Sequence, residues 1–144
     1  MAEPMTTDEW HSFVSEGTRT GMLGVTRADG RPHVTPVWFV LDDDGDLHFT
    51  TATAGLKGRA IARDGRVCLT VDDPHPPYAF VKIEGRATLG SDPDALLRWA
   101  TAAGIRYMGA ERGEEFGRRN SDPAEESTVT IHPTGVVAFR GVSD

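Results

Sequence analysis

The apolar positions change period along the chain, and each change marks an element. Near the N-terminus Trp10, Phe13 and Val14 recur at helical spacing behind the hydroxyl and acid residues of TTDE. That pattern predicts a short capped helix lidding one end of a core. Residues 20–26 place Met22, Leu23 and Val25 as a strand would, and the turn signal Ala28-Asp29-Gly30 leads into a second strand, as in a hairpin. The second strand, residues 33–41, does not alternate. Val34, Pro36, Trp38 and Val40 fall on one face and Val37, Phe39 and Leu41 on the other, so it is expected to be covered on both sides. Pro36 has no N–H for a ladder, which predicts a bulge or an open edge there, with backbone groups exposed to a ligand.

The acidic turn at residues 42–46 passes the chain to a third strand at 47–51, again with hairpin spacing. A short helix follows, then a strand at 67–71, the proline-broken loop DDPHPP, and a long strand at 79–89. In that strand Ala79, Val81, Ile83, Gly85 and Ala87 share one face and Lys82, Glu84 and Arg86 the other. Residues 92–109 read as a helix with Asp92 as N-cap and Pro93 in the first turn, turning Leu96, Trp99, Ala100 and Ala103 inward. The polar, acidic stretch up to Glu126 is compatible with a further helix or a mobile segment. Two short strands, 128–132 and 136–140, joined at Pro133-Thr134-Gly135, close the chain.

Strands in mostly hairpin order, with only short helices between them, predict a mainly β fold: a small antiparallel barrel with peripheral helices rather than a doubly wound sheet. Residues 1–144 are expected to form a single domain.

Charge narrows the class of partner. The 22 acids outnumber the 15 bases, for a net charge of −7, which argues against broad binding to nucleic acid or to a membrane surface. No run approaches the roughly 20 apolar residues of a membrane span, and residues 1–10 lack the basic start and apolar run of a signal peptide. The single cysteine, Cys68, has no partner for an internal disulfide, in keeping with a reducing compartment. A cytoplasmic protein is expected.

One stretch runs against the overall charge. Residues 54–66 hold Lys57, Arg59, Arg63 and Arg66 against the single acid Asp64, and that contrast suggests a bound anion. Ammonium and guanidinium groups make charge-assisted hydrogen bonds to phosphate, and a helix beginning near residues 54–56 adds free N–H donors. The alternative is a solvated basic face. No GxGxxG follows a strand, no GxxxxGK[ST] is present, and the five histidines show no HExxH spacing. No serine sits in a GxSxG elbow.

The order GRPHVTPVWFVLDDDGDLHFTT, then a Lys-x-Arg helix, then RVCLTVDD and VKIEGRATL, resembles the split-barrel flavin and deazaflavin oxidoreductases of the pyridoxamine 5'-phosphate oxidase-like superfamily. The resemblance is best over residues 21–89, and within the superfamily it is nearest to the enzymes that use the deazaflavin coenzyme F420. It implies a split antiparallel β-barrel with short peripheral helices, and a homodimer with two cofactor sites at the subunit interface. It also implies that Thr35, Pro36, Val37 and Trp38 line the ring, that Thr50 and Thr51 lie near the ribityl and phosphate region, and that Lys57, Gly58 and Arg59 hold the phosphate. Apart from the resemblance, Trp38 also suits a core or interface position, and Thr50 and Thr51 suit a plain strand end.

The implied cofactor is F420, with FMN as the alternative. The implied reaction is hydride transfer from the reduced deazaflavin to an unsaturated bond of a small molecule. An FMN oxidoreductase of the same fold and a non-catalytic binder of a planar ligand are the competing readings. Two departures stand out. Ala60 and Ile61 follow Arg59 where relatives often have Asn-Leu, and the chain ends at AFRGVSD without the substrate-binding tail that vitamin B6 oxidation needs. His33, Tyr78 and Arg86 are candidates for a proton donor, alongside bulk water or the cofactor environment.

Overall fold

In the computed structural model, which describes residues 1–144, the strands form one antiparallel sheet with helices at its ends. In chain order the elements are β1 (Glu3–Pro4), α1 (Thr7–Ser15), β2 (Gly21–Thr26), β3 (Pro32–Val37), β4 (Val40–Leu41) and β5 (Leu47–Ala52). They continue with α2 (Leu56–Arg63), β6 (Arg66–Asp73), β7 (Ala79–Gly90), α3 (Pro93–Met108), α4 (Ala110–Arg119) and β8 (Glu126–Arg140). The sheet order is β3-β2-β6-β7-β8-β5-β4, with β1 paired to β8. The two ends of that order, β3 and β4, are separated in sequence by Trp38 and Phe39 alone. Two residues bridge at most about 11 Å, whereas seven flat strands are about 29 Å across. The sheet therefore curls until its ends meet, and the result is a split barrel.

The interior follows from the period-2 and helical patterns. One cluster of 20 buried residues runs from Trp10, Phe13 and Val14 of α1 through Leu23, Phe39, Phe49, Leu69 and Ile83 to Val129 and Ile131. α1 lids it as its spacing predicts. Thr6 caps the helix: its hydroxyl accepts from the Glu9 N–H at 3.2 Å, and the Glu9 carboxylate accepts from the Thr6 N–H at 3.0 Å. β7 buries Val81, Ile83, Gly85 and Ala87 as its alternation requires. In α3, Leu96, Ala100 and Ala103 are buried, while Trp99 stacks on His48 at 3.7 Å.

Three features differ from the sequence reading. The strand expected over residues 33–41 breaks at Trp38 and Phe39, and β3 pairs only with β2 while β4 pairs only with β5. Phe39, pulled out of the ladder, still needs partners for its backbone groups, and the end of α3 provides them. The Tyr107 hydroxyl accepts from the Phe39 N–H at 3.3 Å and donates to the Arg19 carbonyl at 2.7 Å. Arg106 donates to the Phe39, Val14 and Gly17 carbonyls at 2.7, 2.7 and 3.0 Å.

Within one chain β3 is also not covered on both sides, since Val34 is 58% exposed. Its edge position does agree with Pro36. Finally, the C-terminal hairpin does not form. Residues 126–140 are one strand paired along all of β7, and Thr134 is absorbed in a register shift opposite Glu84 and Gly85. A bulge tolerates the missing N–H of Pro133 as well as a turn would.

The acidic turn before β5 has a structural use. Asp42 Oδ1 accepts the N–H groups of Asp44 and Asp46, both at 2.9 Å, and Asp42 Oδ2 lies 2.7 Å from His48 Nε2. His48 is buried, with Nδ1 3.1 Å from the Thr130 hydroxyl. Burial opposes the charge on Asp42, but the hydrogen bonds from His48 and from the Asp46 and Asp44 backbone outweigh it and hold the carboxyl below its usual pKa. A depressed carboxyl stabilises the fold above the unfolded value, about 3.9, and that stability is lost as pH falls through the folded value. Asp42→Asn is therefore expected to lower Tm near neutral pH, and its profile should converge on the wild type as both are scanned to about pH 2. Parallel profiles across that range would contradict the assignment.

Candidate functional site

The site grows from a tight connection. Only residues 53–55 separate β5 from α2, so the helix starts against the strand it follows. Gly58 permits that approach: a Cβ there would sit 2.5 Å from both the Ala52 and Thr53 carbonyl oxygens. Gly55 at the N-cap offers no side chain to the helix start, and the N–H groups of Lys57 and Gly58 have no partner in the chain. The first turn of α2 thus carries free donors and a partial positive charge.

The start of α2 borders a pocket of about 370 Å³ through Gly55, Leu56 and Lys57. Lys57, Thr50, Thr51 and His33 line it on one side, and Phe116 of α4, Asn120 at its C-cap and Glu126 at the start of β8 line it on the other. The Lys57 ammonium donates to the Thr35 hydroxyl at 3.3 Å. Next to the pocket, Trp38 stacks on Tyr107 with ring centroids 5.0 Å apart, and it lies 5.6 Å from Phe116. Burial, reinforced by neighbouring Glu125, pushes the Glu126 carboxyl above its usual pKa; burial likewise raises the Tyr107 phenol.

The structure sorts the residues singled out from sequence. Thr50, Thr51 and Lys57 meet in the pocket, Thr35 joins through its hydrogen bond to Lys57, and Trp38 flanks it across Phe116. Pro36 is exposed on the edge strand and Val37 is buried in the core. Gly58 is packed against backbone. Arg59 lies elsewhere, with Arg27 and Arg63 around a smaller recess of about 190 Å³. Arg66 is engaged with Asp64 at 2.8 Å, and that guanidinium holds the Asp64 carboxyl at about 2.

Among His33, Tyr78 and Arg86, only His33 borders the pocket. Arg86 sits in a groove on the outer sheet with Arg66 and Cys68, and Tyr78 sits beside α1.

The α4 wall was missed in the sequence reading. Its signal was the pair Gly113 and Gly117, four residues apart, with Phe116 as the sole large apolar side chain between Ala110 and Arg119. Those glycines seat α4 on Gly104 and Thr101 of α3.

No curated protein matches the chain, but solved structures do. A conserved hypothetical protein from Mycobacterium tuberculosis superposes with a TM-score of 0.85 at 25% identity, over 96% of this chain and 87% of that one. An F420 reductase superposes with a TM-score of 0.69 at 27% identity, over 87% of this chain and 94% of that one. A putative pyridoxamine 5'-phosphate oxidase from Listeria innocua, 20% identical, shares the fold with a TM-score of 0.65 over 90% and 98% of the two chains. The pyridoxamine 5'-phosphate oxidase family matches residues 6–138, from the cap of α1 to the last buried position of β8, and the chain belongs to that family.

Proposed function

We propose that the chain is a cytoplasmic, homodimeric F420-dependent reductase that passes a hydride to an unsaturated bond of a small molecule. The observation that carries this reading is the donor set of the pocket. Lys57, with its ammonium and its unpaired N–H, lines one space together with Thr50 and Thr51. That chemistry suits a phosphate ester, and the Trp38–Phe116 surface beside it suits a flat ring. The 27% identity to an F420 reductase favours the deazaflavin over FMN.

When bound, the reduced deazaflavin supplies the hydride from a ring carbon. The work of this chain is to hold and orient. Lys57 neutralises the phosphate, Thr35 fixes the Lys57 ammonium, and the first turn of α2 adds donors that cost no reorganisation. Trp38 and Phe116 keep water from one side of the ring.

A second copy of the chain is the natural cover for the outer face of β2 and β3. There Met22 is 43% and Val34 58% exposed, beside Pro36 and Trp38. With that face covered, β3 acquires the two-sided burial its sequence calls for.

The test mixes purified protein with reduced F420 and a panel of small conjugated enones, following the return of oxidised F420 absorbance, with mass measured by light scattering. Turnover by a two-chain particle is expected. Lys57→Ala should weaken F420 by about 10- to 100-fold, the worth of one charge-assisted contact, with Tm nearly unchanged because Lys57 makes a single hydrogen bond. Unchanged affinity in that variant would remove the phosphate site, and binding without turnover on any acceptor would leave a non-catalytic binder.

A further inference from the structure

Glu126 begins β8, in register with Ala52, and its side chain lines the same pocket as Lys57, Thr50 and Thr51. It is half-buried, and no group of the chain donates a hydrogen bond to it or pairs with its charge within 4 Å. The ionisable groups around it are Lys57 from α2, His33 from β3 and Glu125 beside it in sequence; β5, α4 and the α4 C-cap contribute only the neutral Thr50, Thr51, Phe116 and Asn120. Asn120 is engaged, its amide donating to the Phe116 carbonyl at 2.9 Å.

An unpaired carboxylate has no evident place in a site for bare phosphate, because like charges repel where water is scarce. It does suit hydroxyl donors, from which a carboxylate accepts short, strong hydrogen bonds. In both F420 and FMN a phosphate ester is joined directly to a hydroxylated chain, so the two chemistries the pocket offers, cationic and carboxylate, fit adjoining parts of one molecule.

We propose that Glu126 is a specificity-determining residue which accepts hydrogen bonds from the hydroxyl chain next to the phosphate, so that the pocket selects a phosphorylated polyol and discriminates against simple phosphate. The inference rests on the cofactor reading given above and deepens it. It assigns opposite effects to one side chain: attraction for the polyol, repulsion for a free anion.

The test titrates wild type, Glu126→Gln and Glu126→Ala with F420 and with FMN at about pH 8, where a carboxylate is ionised, and measures the inhibition constant of inorganic phosphate against whichever cofactor binds. Thermal scans confirm that each variant is folded. Glu126→Gln keeps the size and removes the charge. The expected result is a cofactor affinity lowered about tenfold, together with tighter competition by inorganic phosphate, and Glu126→Ala should show the same opposed shifts. Two shifts of the same sign, or no shift in either ligand, would overturn the role of Glu126 while leaving the cofactor reading intact. Failure of the wild type to bind F420 or FMN would overturn both.

Discussion

Arg106→Ala is expected to cost about 3–5 kcal/mol of stability, which for a chain of this size is a fall in Tm of about 10–15 °C. Arg106 makes no ion pair, and its fork instead serves three carbonyls on two segments: Val14 and Gly17 at the end of α1 and just after it, and Phe39 at the break in the barrel wall. The guanidinium also lies over the Phe39 ring at 4.8 Å and the Tyr107 ring at 4.9 Å. Burial works against its charge, lowering its pKa from the usual value, so the carbonyls are what make the position tolerable. Its place in the last turn of α3 adds a favourable interaction with the helix dipole. Alanine would leave the Phe39 carbonyl with only the longer Tyr107 hydroxyl contact, at 3.3 Å, where the chain has left the ladder. Lysine should recover less than half of the loss, since one ammonium cannot reach three acceptors held by a planar fork. Thermal unfolding of the three proteins is the check, and a loss below about 1 kcal/mol for alanine would place it among ordinary surface changes and show that the barrel closes without Arg106.

Gly113→Ala is the second large effect, and it reaches the pocket. A Cβ on Gly113 would lie 2.3 Å from the Ile105 nitrogen and 2.5 Å from the Gly104 carbonyl carbon, both backbone atoms that have no rotamer by which to yield. The helix as a whole has to back away, which is expected to cost about 3 kcal/mol, at the upper end of overpacking penalties. Phe116 and Asn120 ride on that helix and its end, so the wall they form beside Trp38 moves with them. The expected signature is a lower Tm together with a changed tryptophan emission, as Trp38 loses its Phe116 neighbour. Unchanged Tm and emission would show that α4 is not held by the glycine contacts.

Much of the fold was legible because it is written locally. The capping box at Thr6 and Glu9, the Asp92-Pro93 helix start and the alternation of residues 79–89 each specify an element within a few residues. The break at Trp38 and Phe39 was not legible, because the groups that satisfy Phe39 lie 67 and 68 residues away at Arg106 and Tyr107. Nor was the long β8: Pro-Thr-Gly signals a turn, and only the facing Gly85, with no side chain to collide with the His132 carbonyl, lets the strand run on.

The site divides in the same way. Thr50, Thr51 and Lys57 were legible because the connection after β5 is too short to separate them. The pairing of Lys57 with Arg59 fails in the pocket for a geometric reason: two residues along an α-helix turn about 200° around its axis, which points them to opposite sides. Glu126 and Phe116 arrive from a polar stretch with almost no apolar period, where nothing local announces a wall.

The most direct test of the central claim is an equilibrium titration of the purified protein with F420 and with FMN side by side, followed by tryptophan quenching and cofactor emission. Saturable binding of F420, one per chain and at least about tenfold tighter than FMN, is the predicted result. Tighter binding of FMN would contradict the deazaflavin assignment, and binding of neither would contradict the claim that the pocket at the start of α2 is a cofactor site.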